Sequence, residues 1–528
     1  MKNKNKPMPA LVLNHTLHDW LQSNADKYGA DAAITASDSI LSHRDVFERA
    51  TNLSAGLRSL GLKHGDVVGV QLPNIPEFII SYLAISSIGG IMQTLHMPYR
   101  HTELEYLLKD SNASAVICLS SFRDSSPAVM MLDIATSNKM NFPVISLGEP
   151  VETSHSFEEL ITSEFPVTLT KAPVAEDLFV LLYTSGTTSS PKGVPHRYNS
   201  FLSNAQLCCQ TYGFTNEDRL LSLAPMSHLY GLFTLNMALS CGANTILLPA
   251  FNPEGFINTV RELRPTAIFA APAHFALSRQ QGLLKQEDFS SVKFVCLSGS
   301  AVMPELAREV DELLINGRVG QLWGMSELQA GAITRLNDDE QTRFNSAGKP
   351  TPGTEIRIAD GDKELPANKE GELQVKGISV FDAYHNKPEE SQKAFTKDKW
   401  FRSGDLAVIN DEGHLTITGR TKSLINRGGI KFNPVEIEAL ISKLPEVVQC
   451  AIIPQADEIL GEKASLFIVT GEGDSISLDE ICRALEESEV AKYKWPEELH
   501  IIDAMPMTPT NKVKLDELVL YLEDLKSS

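Results

Sequence analysis

The sequence predicts an α/β protein: a large N-terminal domain of several sheets with a small β subdomain, followed by an α+β C-terminal domain. Three observations predict it. Short β-branched or apolar runs alternate with helical patterns through the first part of the chain, as in layered, partly parallel sheets. Past Pro352 the turn signals Asp360-Gly361, Glu370-Gly371 and Asp411-Glu412-Gly413 crowd between short strands, which marks a β subdomain. After Arg420 helix and strand patterns mix again over ~100 residues, a plausible size for a small domain. The expected boundaries are 1–421 for the large domain, with 352–420 as its β subdomain, and 422–528 for the second domain.

The elements follow in order. Val67-Val68-Gly69-Val70-Gln71-Leu72 and Ser114-Ala115-Val116-Ile117-Cys118-Leu119 read as strands, with a helix from Glu103 to Lys109 between them. The apolar segment Phe78 to Met92 contains Ser81, Ser86, Ser87 and two glycines. It is shorter than the roughly 20 residues a membrane span requires, so a buried helix is expected. Leu178-Phe179-Val180-Leu181-Leu182 reads as a buried strand. Thr266 to Ala270 and Val292 to Leu297 are further strands, followed by a helix from Pro304 to Leu314. Glu372 to Val375 and Leu415 to Thr418 are strands of the β subdomain. In the last domain, helices at Glu436 to Ile441 and Asp479 to Glu487 flank strands at Cys450 to Ile453 and Ser465 to Val469.

Composition narrows the function. A hydrophobic content of 42% with 22% charged residues describes a soluble globular chain. The net charge of −20 argues against nucleic-acid and anionic-membrane partners. The seven cysteines (118, 208, 209, 241, 296, 450 and 482) form no C-x-x-C pair and no zinc spacing. Reduced core thiols and a cytoplasmic setting are the expectation. The basic start Met1-Lys2-Asn3-Lys4-Asn5-Lys6 is followed by too short an apolar stretch for a signal peptide, and no integral membrane segment is expected.

The segment with the most chemistry is Thr184-Ser185-Gly186-Thr187-Thr188-Ser189-Ser190-Pro191-Lys192-Gly193, directly after the Leu178 strand. Glycines let backbone amides converge on an anion, hydroxyls add donors, and the lysine adds a mobile charge. It differs from the common P-loop, whose lysine follows glycine and precedes Ser or Thr, because Pro191 precedes Lys192. Taken alone, the stretch fits a polyphosphate loop or a Ser/Thr/Gly-rich linker about equally.

Further segments decide the reading. Pro73-Asn74-Ile75-Pro76-Glu77-Phe78, Pro225-Met226-Ser227-His228-Leu229-Tyr230-Gly231-Leu232, Leu297-Ser298-Gly299-Ser300-Ala301, Trp323-Gly324-Met325-Ser326-Glu327 and Trp400-Phe401-Arg402-Ser403-Gly404-Asp405-Leu406 occur in that order. Gly419-Arg420-Thr421-Lys422, Arg427-Gly428-Gly429-Ile430-Lys431, Pro434-Val435-Glu436-Ile437-Glu438 and Pro506-Met507-Thr508-Pro509-Thr510-Asn511-Lys512 complete the series. With the hydroxyl-rich loop, this series resembles the adenylate-forming superfamily of acyl- and aryl-CoA synthetases, adenylation domains and luciferases, and is nearest to the acyl-CoA synthetases. The resemblance covers nearly the whole chain.

The resemblance implies a two-step reaction using ATP, Mg²⁺ and CoA. A carboxylate attacks the α-phosphorus to give acyl-AMP and pyrophosphate, and a thiol then takes the acyl group. By motif position, Thr184, Ser185, Gly186, Thr187, Thr188 and Lys192 would cradle the phosphates. Ser298, Gly299, Ser300, Ala301, Trp323, Gly324, Met325 and Ser326 would border the nucleotide. Glu327 would contact Mg²⁺, and Asp405 with Arg420 would hold the ribose. Lys512 would bond the attacking carboxylate and the α-phosphate. His228, Tyr230, Phe275, Trp323 and Met325 would border a largely apolar acyl pocket, with His228 as the gate. Lys422 would be the hinge of a mobile C-terminal domain, and Arg427, Gly428 and Gly429 would line the thiol channel.

Three positions depart from the family pattern: Ser326 and Ser403 stand for threonine, and Asn511 for glycine. Asparagine is the next most tolerant residue for left-handed geometry, so the Lys512 turn is expected to survive. Ala224-Pro225-Met226-Ser227-His228 lacks the aspartate that pairs with an amino group in amino-acid-activating members. The expected partner is therefore a small fatty, aryl or alicyclic acid. Two alternatives stay open: an adenylation enzyme that loads the phosphopantetheine of an acyl carrier protein, and an inactive ligand-binding homologue. The second should have lost Glu327, Asp405 or Lys512, and all three are present.

Overall fold

The computed structural model describes residues 12–162, 172–184, 191–421, 424–427, 430–457, 461–471, 473–488, 490–508 and 513–527. They form two compact units, the first from within 12–184, 191–355 and 376–393, the second from within 356–375 and 394–527.

The first unit holds two large sheets. One has seven strands in the order His155–Ser156, Val144–Leu147, Ala115–Leu119, Val67–Gln71, Ile91–Thr94, Leu178–Thr184, Lys192–Arg197. All neighbours are parallel except the last pair, which is antiparallel. The other has nine strands in the order Lys349–Pro350, Gln329–Ile333, Arg318–Met325, Phe294–Leu297, Ala267–Ala270, Arg219–Ser222, Asn244–Ile246, Ala32–Thr35, Ile40–Ser42. From Arg318–Met325 to Ala32–Thr35 every pair is parallel. Both sheets have near-continuous apolar strands, Val67–Gln71 being buried throughout, as expected where both faces are covered.

The expected helix from Phe78 to Met92 needs correction. The helix is Pro76–Ser87, and Ile91–Thr94 is a strand. Gly89 ends the helical run: its φ is +74°, and a Cβ there would lie 2.3 Å from His64 Nδ1, so only glycine makes this turn. Phe78 through Ser87 are all buried. Two of the helix's serines avoid a desolvation cost by donating to carbonyls one turn back, Ser81 to Glu77 at 2.7 Å and Ser87 to Leu83 at 2.9 Å.

Asn74 and His96 stitch the two sheets together. Asn74 donates to the Ala224 carbonyl at 3.1 Å and accepts from the Met226 amide at 2.7 Å. His96 Nδ1 lies 2.8 Å from Ser227 Oγ. Burial pushes the His96 pKa down to about 4, which keeps the ring neutral.

The second unit holds a sheet in the order Lys363–Glu364, Thr354–Asp360, Gly371–Gly377, Phe401–Ile409, Leu415–Arg420. A second sheet follows in the order Ile430–Phe432, Ile425–Arg427, Gly461–Thr470, Val447–Asp457, with Glu498–Ile501 parallel to Gly461–Thr470. Strand alternation serves two cores. Ile452, Leu466 and Ile468 pack with Ile437, Ile441, Ile481 and Leu485 on one face. Ala451, Ile453 and Phe467 pack with Leu518 and Leu522 on the other. Ser477 and Glu480 form a capping box that starts the helix Leu478–Glu487. Of the expected β subdomain, residues 356–375 and 394–420 fall in the same compact unit as the C-terminal fold, and 376–393 fall in the first unit. All seven cysteines are free, and burial pushes the Cys118 and Cys296 thiols up to about 12.

Candidate active site

In an open α/β sheet the ligand crevice lies outside the carboxyl ends of the strands. In the first unit those ends carry Thr184, the Ala224–Leu229 turn, Ser298–Ala301 and the turn that follows Met325.

Thr184 pairs with Lys192 across the hairpin that brackets the hydroxyl-rich loop. Ser185, Gly186, Thr187 and Thr188 lie outside the described residues. The base of the hairpin is pinned from several sides. Tyr106 Oη donates to the Pro191 carbonyl at 3.1 Å, and Tyr183 Oη donates to Asp110 Oδ2 at 2.7 Å. The His385 amide donates to the Gly193 carbonyl at 2.8 Å. A Cβ on Gly193 would lie 2.9 Å from His385 Cβ, so the glycine permits this approach. Lys192 Nζ sits over the Tyr384 ring, 4.7 Å from its centroid.

Glu327 occupies the tight turn between Arg318–Met325 and Gln329–Ile333. A Cβ on Gly324 would lie 1.9 Å from the Gln329 carbonyl oxygen, so the antiparallel strands close here only with glycine. Gln329 is held at φ +62°, and its side chain donates to the Phe201 carbonyl at 2.8 Å. Left-handed geometry at a non-glycine residue costs on the order of 1 kcal/mol and gathers at functional sites. Glu327 is 6% exposed, and its carboxylate accepts from Tyr384 Oη at 2.9 Å. The Ser326 carbonyl oxygen lies 2.7 Å from His196 Nε2. Burial holds the His196 pKa down at about 4. Trp323 is buried, while Met325 and Ser326 are half-buried.

At the end of Phe294–Leu297, Ser298 is buried and its amide donates to the Ala270 carbonyl at 3.0 Å. Gly299 takes φ +94°, and Ser300 and Ala301 are exposed. His228 caps the helix Leu229–Cys241, its Nδ1 accepting from the Tyr230 amide at 3.3 Å. Its ring lies 6.2 Å from that of His96. Tyr230 is buried, with its hydroxyl donating to the Cys296 carbonyl at 2.8 Å. Phe275 is fully buried, edge-on to Phe256 at 5.5 Å and beside Phe289. Its ring is core packing, so it offers no face to an acyl chain.

In the second unit Asp405 and Arg420 are direct partners across two antiparallel strands and form an ion pair at 3.0 Å. Asp405 is buried and Arg420 exposed. Gly404 at φ +74° makes the preceding kink. Ser403 Oγ accepts from the Asp405 amide at 3.0 Å and donates to the Leu373 carbonyl at 2.7 Å, so serine performs the anchoring that its hydroxyl allows. Arg427 is ion-paired with Glu497 and donates to the Lys492 carbonyl at 3.1 Å. Lys422, Gly428, Gly429 and Lys512 lie outside the described residues.

Among the described residues no group of three or more His, Cys, Asp or Glu side chains forms a metal cage. The single buried carboxylate of Glu327 nonetheless fits Mg²⁺, which takes one or two protein carboxylates beside substrate phosphates and water. Sequence reasoning missed Tyr384, His385, His196, His96 and Asp110, which brace this region. Asp382-Ala383-Tyr384-His385-Asn386 carries no local chemical signature.

In the first unit a hairpin ending in Lys192 and the buried Glu327 carboxylate meet on Tyr384, and the family match defines the class: an α/β enzyme of the nucleotide-binding, adenylate-forming kind. The chain belongs to the AMP-binding enzyme family: the family's model matches residues 21–385, and the model of the AMP-binding enzyme C-terminal domain matches 436–512. It is 30% identical to a long-chain-fatty-acid–CoA ligase of Bacillus subtilis (strain 168), over 96% of this chain and 94% of the relative. It is 28% identical to 4-coumarate–CoA ligase 4 of Arabidopsis thaliana, over 93% of this chain and 88% of the relative. Its fold matches the crystal structure of ATP-bound MatB from Rhodopseudomonas palustris with a TM-score of 0.88 at 27% identity, covering 97% and 100% of the two chains. Among the described residues no helix is long and apolar enough to cross a membrane.

Proposed function

We propose that this protein is an ATP-dependent acid–CoA ligase that activates a fatty, aryl or alicyclic carboxylic acid. The observation that carries the reading is the convergence of Lys192 and Glu327 on Tyr384. A lysine at the end of a hydroxyl-rich loop and a buried carboxylate that share one tyrosine suit a polyphosphate with its Mg²⁺. In the first step a carboxylate oxygen bonds to the α-phosphorus and the bond to pyrophosphate breaks. In the second, the CoA thiol bonds to the acyl carbon, its proton is lost and AMP leaves.

Lys192, Thr184 and the loop residues Ser185, Gly186, Thr187 and Thr188 take the departing phosphates. Glu327 would hold Mg²⁺, which when bound would offset the negative charge of the phosphates. Asp405 accepts from the ribose hydroxyls beside Arg420, and Lys512 draws the two anions together. His228 and Met325 border the acyl group, and the absence of an aspartate in Ala224–His228 supports an acid without an α-amine. The relatives named for fatty and coumaric acids support an apolar substrate. Carrier-protein phosphopantetheine is the alternative acceptor, because it ends in the same thiol arm.

The test is a panel of carboxylic acids scored by ATP-dependent pyrophosphate release, with and without CoA, and with carrier proteins in place of CoA. Release with fatty, aryl or alicyclic acids and thioester with free CoA is expected. Thioester on a carrier protein alone would select the alternative, and release with amino acids alone would overturn the substrate reading.

Asp405→Ala is expected to raise the KM for ATP by about tenfold or more, since hydrogen bonds to a charged group contribute about 1.5–3 kcal/mol. The KM for the acid should change much less. Equal effects on both would make Asp405 a support of the fold.

Lys422 is proposed as the pivot between the two half-reactions, because Lys512 serves the first and the Arg427-Gly428-Gly429 segment the second. Proline at 422 would fix φ near −65° and restrict Thr421. Lys422→Pro should still form acyl-AMP, trapped as hydroxamate, while thioester formation slows severely. Wild-type rates in both half-reactions would remove Lys422 as the pivot.

A further inference from the structure

We infer that Tyr384 is a positioning residue that couples the two phosphate-handling groups, its hydroxyl orienting the Glu327 carboxylate and its ring face holding the Lys192 ammonium. This rests on the proposed roles of Glu327 and Lys192.

The two contacts use different parts of one side chain. Tyr384 Oη donates to Glu327 Oε1 at 2.9 Å, and Lys192 Nζ stands 4.7 Å from the ring centroid. A carboxylate only accepts, so the phenolic hydroxyl is the donor of this bond. Attraction to the ring's negative face in turn limits where the long lysine side chain can go.

The segment that carries Tyr384 is itself fixed to each element it links. The Phe381 amide donates to the Glu327 carbonyl at 2.8 Å, which ties the segment to the carboxylate's own turn. The His385 amide donates to the Gly193 carbonyl at 2.8 Å, one residue past Lys192. His385 Nε2 lies 3.1 Å from the Asp110 carbonyl oxygen, and Asn386 Nδ2 donates to that oxygen at 3.0 Å. The Tyr384 amide donates to Ser391 Oγ at 2.9 Å, and the Phe381 ring packs 4.7 Å from the tyrosine ring. A side chain held this rigidly can set the separation between an ammonium and a carboxylate that otherwise belong to different sheets. That is how a supporting shell pre-organises charged groups toward a ligand.

The test separates hydroxyl from ring. Tyr384→Phe keeps the ring beneath Lys192 and removes one hydrogen bond to a charge. It should raise the Mg²⁺ concentration for half-maximal pyrophosphate release about tenfold, with the ATP KM at saturating Mg²⁺ nearly unchanged. Tyr384→Leu removes both contacts and should additionally raise the ATP KM about threefold. Binding provides an independent readout: Mn²⁺ titrated with ATP present and followed by electron paramagnetic resonance should bind about tenfold more weakly to Tyr384→Phe. The inference is overturned if Tyr384→Phe titrates like wild type in both metal assays while Tyr384→Leu only lowers the melting temperature. Glu327→Gln is the companion. If it shifts the metal titrations and Tyr384→Phe does not, Tyr384 alone is misassigned. If Glu327→Gln leaves them unmoved, the metal role of Glu327 falls, and the inference with it.

Discussion

Lys512→Ala should lower acyl-AMP formation by at least ~100-fold while leaving thioester formation from supplied acyl-AMP largely intact. The first step forces a carboxylate onto a phosphate that is already negative. A donor aimed at charge developing in a transition state is typically worth ~10²–10³ in rate. The second step brings a thiol to a neutral acyl carbon and needs no such bridge. Pyrophosphate release and thioester formation, assayed separately, check the split. Lys514 is the control, since its ammonium pairs with Glu517 at 2.6 Å on an exposed helix start. Exposed pairs of this kind contribute little, so Lys514→Ala should behave as wild type. A larger effect from Lys514 would show that the lysine motif had been read in the wrong register.

Arg343→Leu should destabilise the first unit by about 3–5 kcal/mol, the usual cost of leaving one half of a buried ion pair unpaired. Arg343 Nη1 donates to Asp311 Oδ1 at 2.6 Å and to the Val319 carbonyl at 2.9 Å, and its side chain is 3% exposed. Asp311 Oδ1 also accepts from the Val319 amide at 2.7 Å. The pair therefore clamps the start of the strand Arg318–Met325, which delivers Trp323, Gly324 and Met325 to the site. Denaturant unfolding should show an earlier first transition, and Arg343→Leu combined with Asp311→Leu should recover much of the loss. A shift below ~1 kcal/mol would mean that the cavity rehydrates and the clamp contributes little.

Much of the architecture was legible in the chain because its signals are local. The β-branched runs at Val67, Ala115, Ala267 and Phe294 became parallel strands because an apolar run can only be satisfied between two covering layers. The crowded turns past Pro352 became an antiparallel sheet. Asp405 and Arg420, fifteen positions apart in the sequence, were selected by motif, and the hairpin register made them partners. Where local signals conflicted, geometry decided. Phe78 to Met92 looks like one apolar helix until Gly89 must adopt a positive φ against His64. Phe275 has the composition of a pocket residue, but three phenylalanines close on one another and remove it from any surface.

The sequence by itself determined, through its motifs, which groups are proposed for the chemistry: a lysine after a hydroxyl-rich loop, a carboxylate after Trp-Gly-Met-Ser, an aspartate after Ser-Gly. Only the tertiary structure decided what holds two of them in place. Glu327 and Tyr384 are 57 residues apart, and the segment carrying Tyr384 returns to the first unit after strands that belong to the second. Periodicity and turn chemistry report on neighbours within a few positions. A hydroxyl–carboxylate bond and an ammonium over a ring form only once the chain has folded back, so no stretch of sequence around Tyr384 announces them.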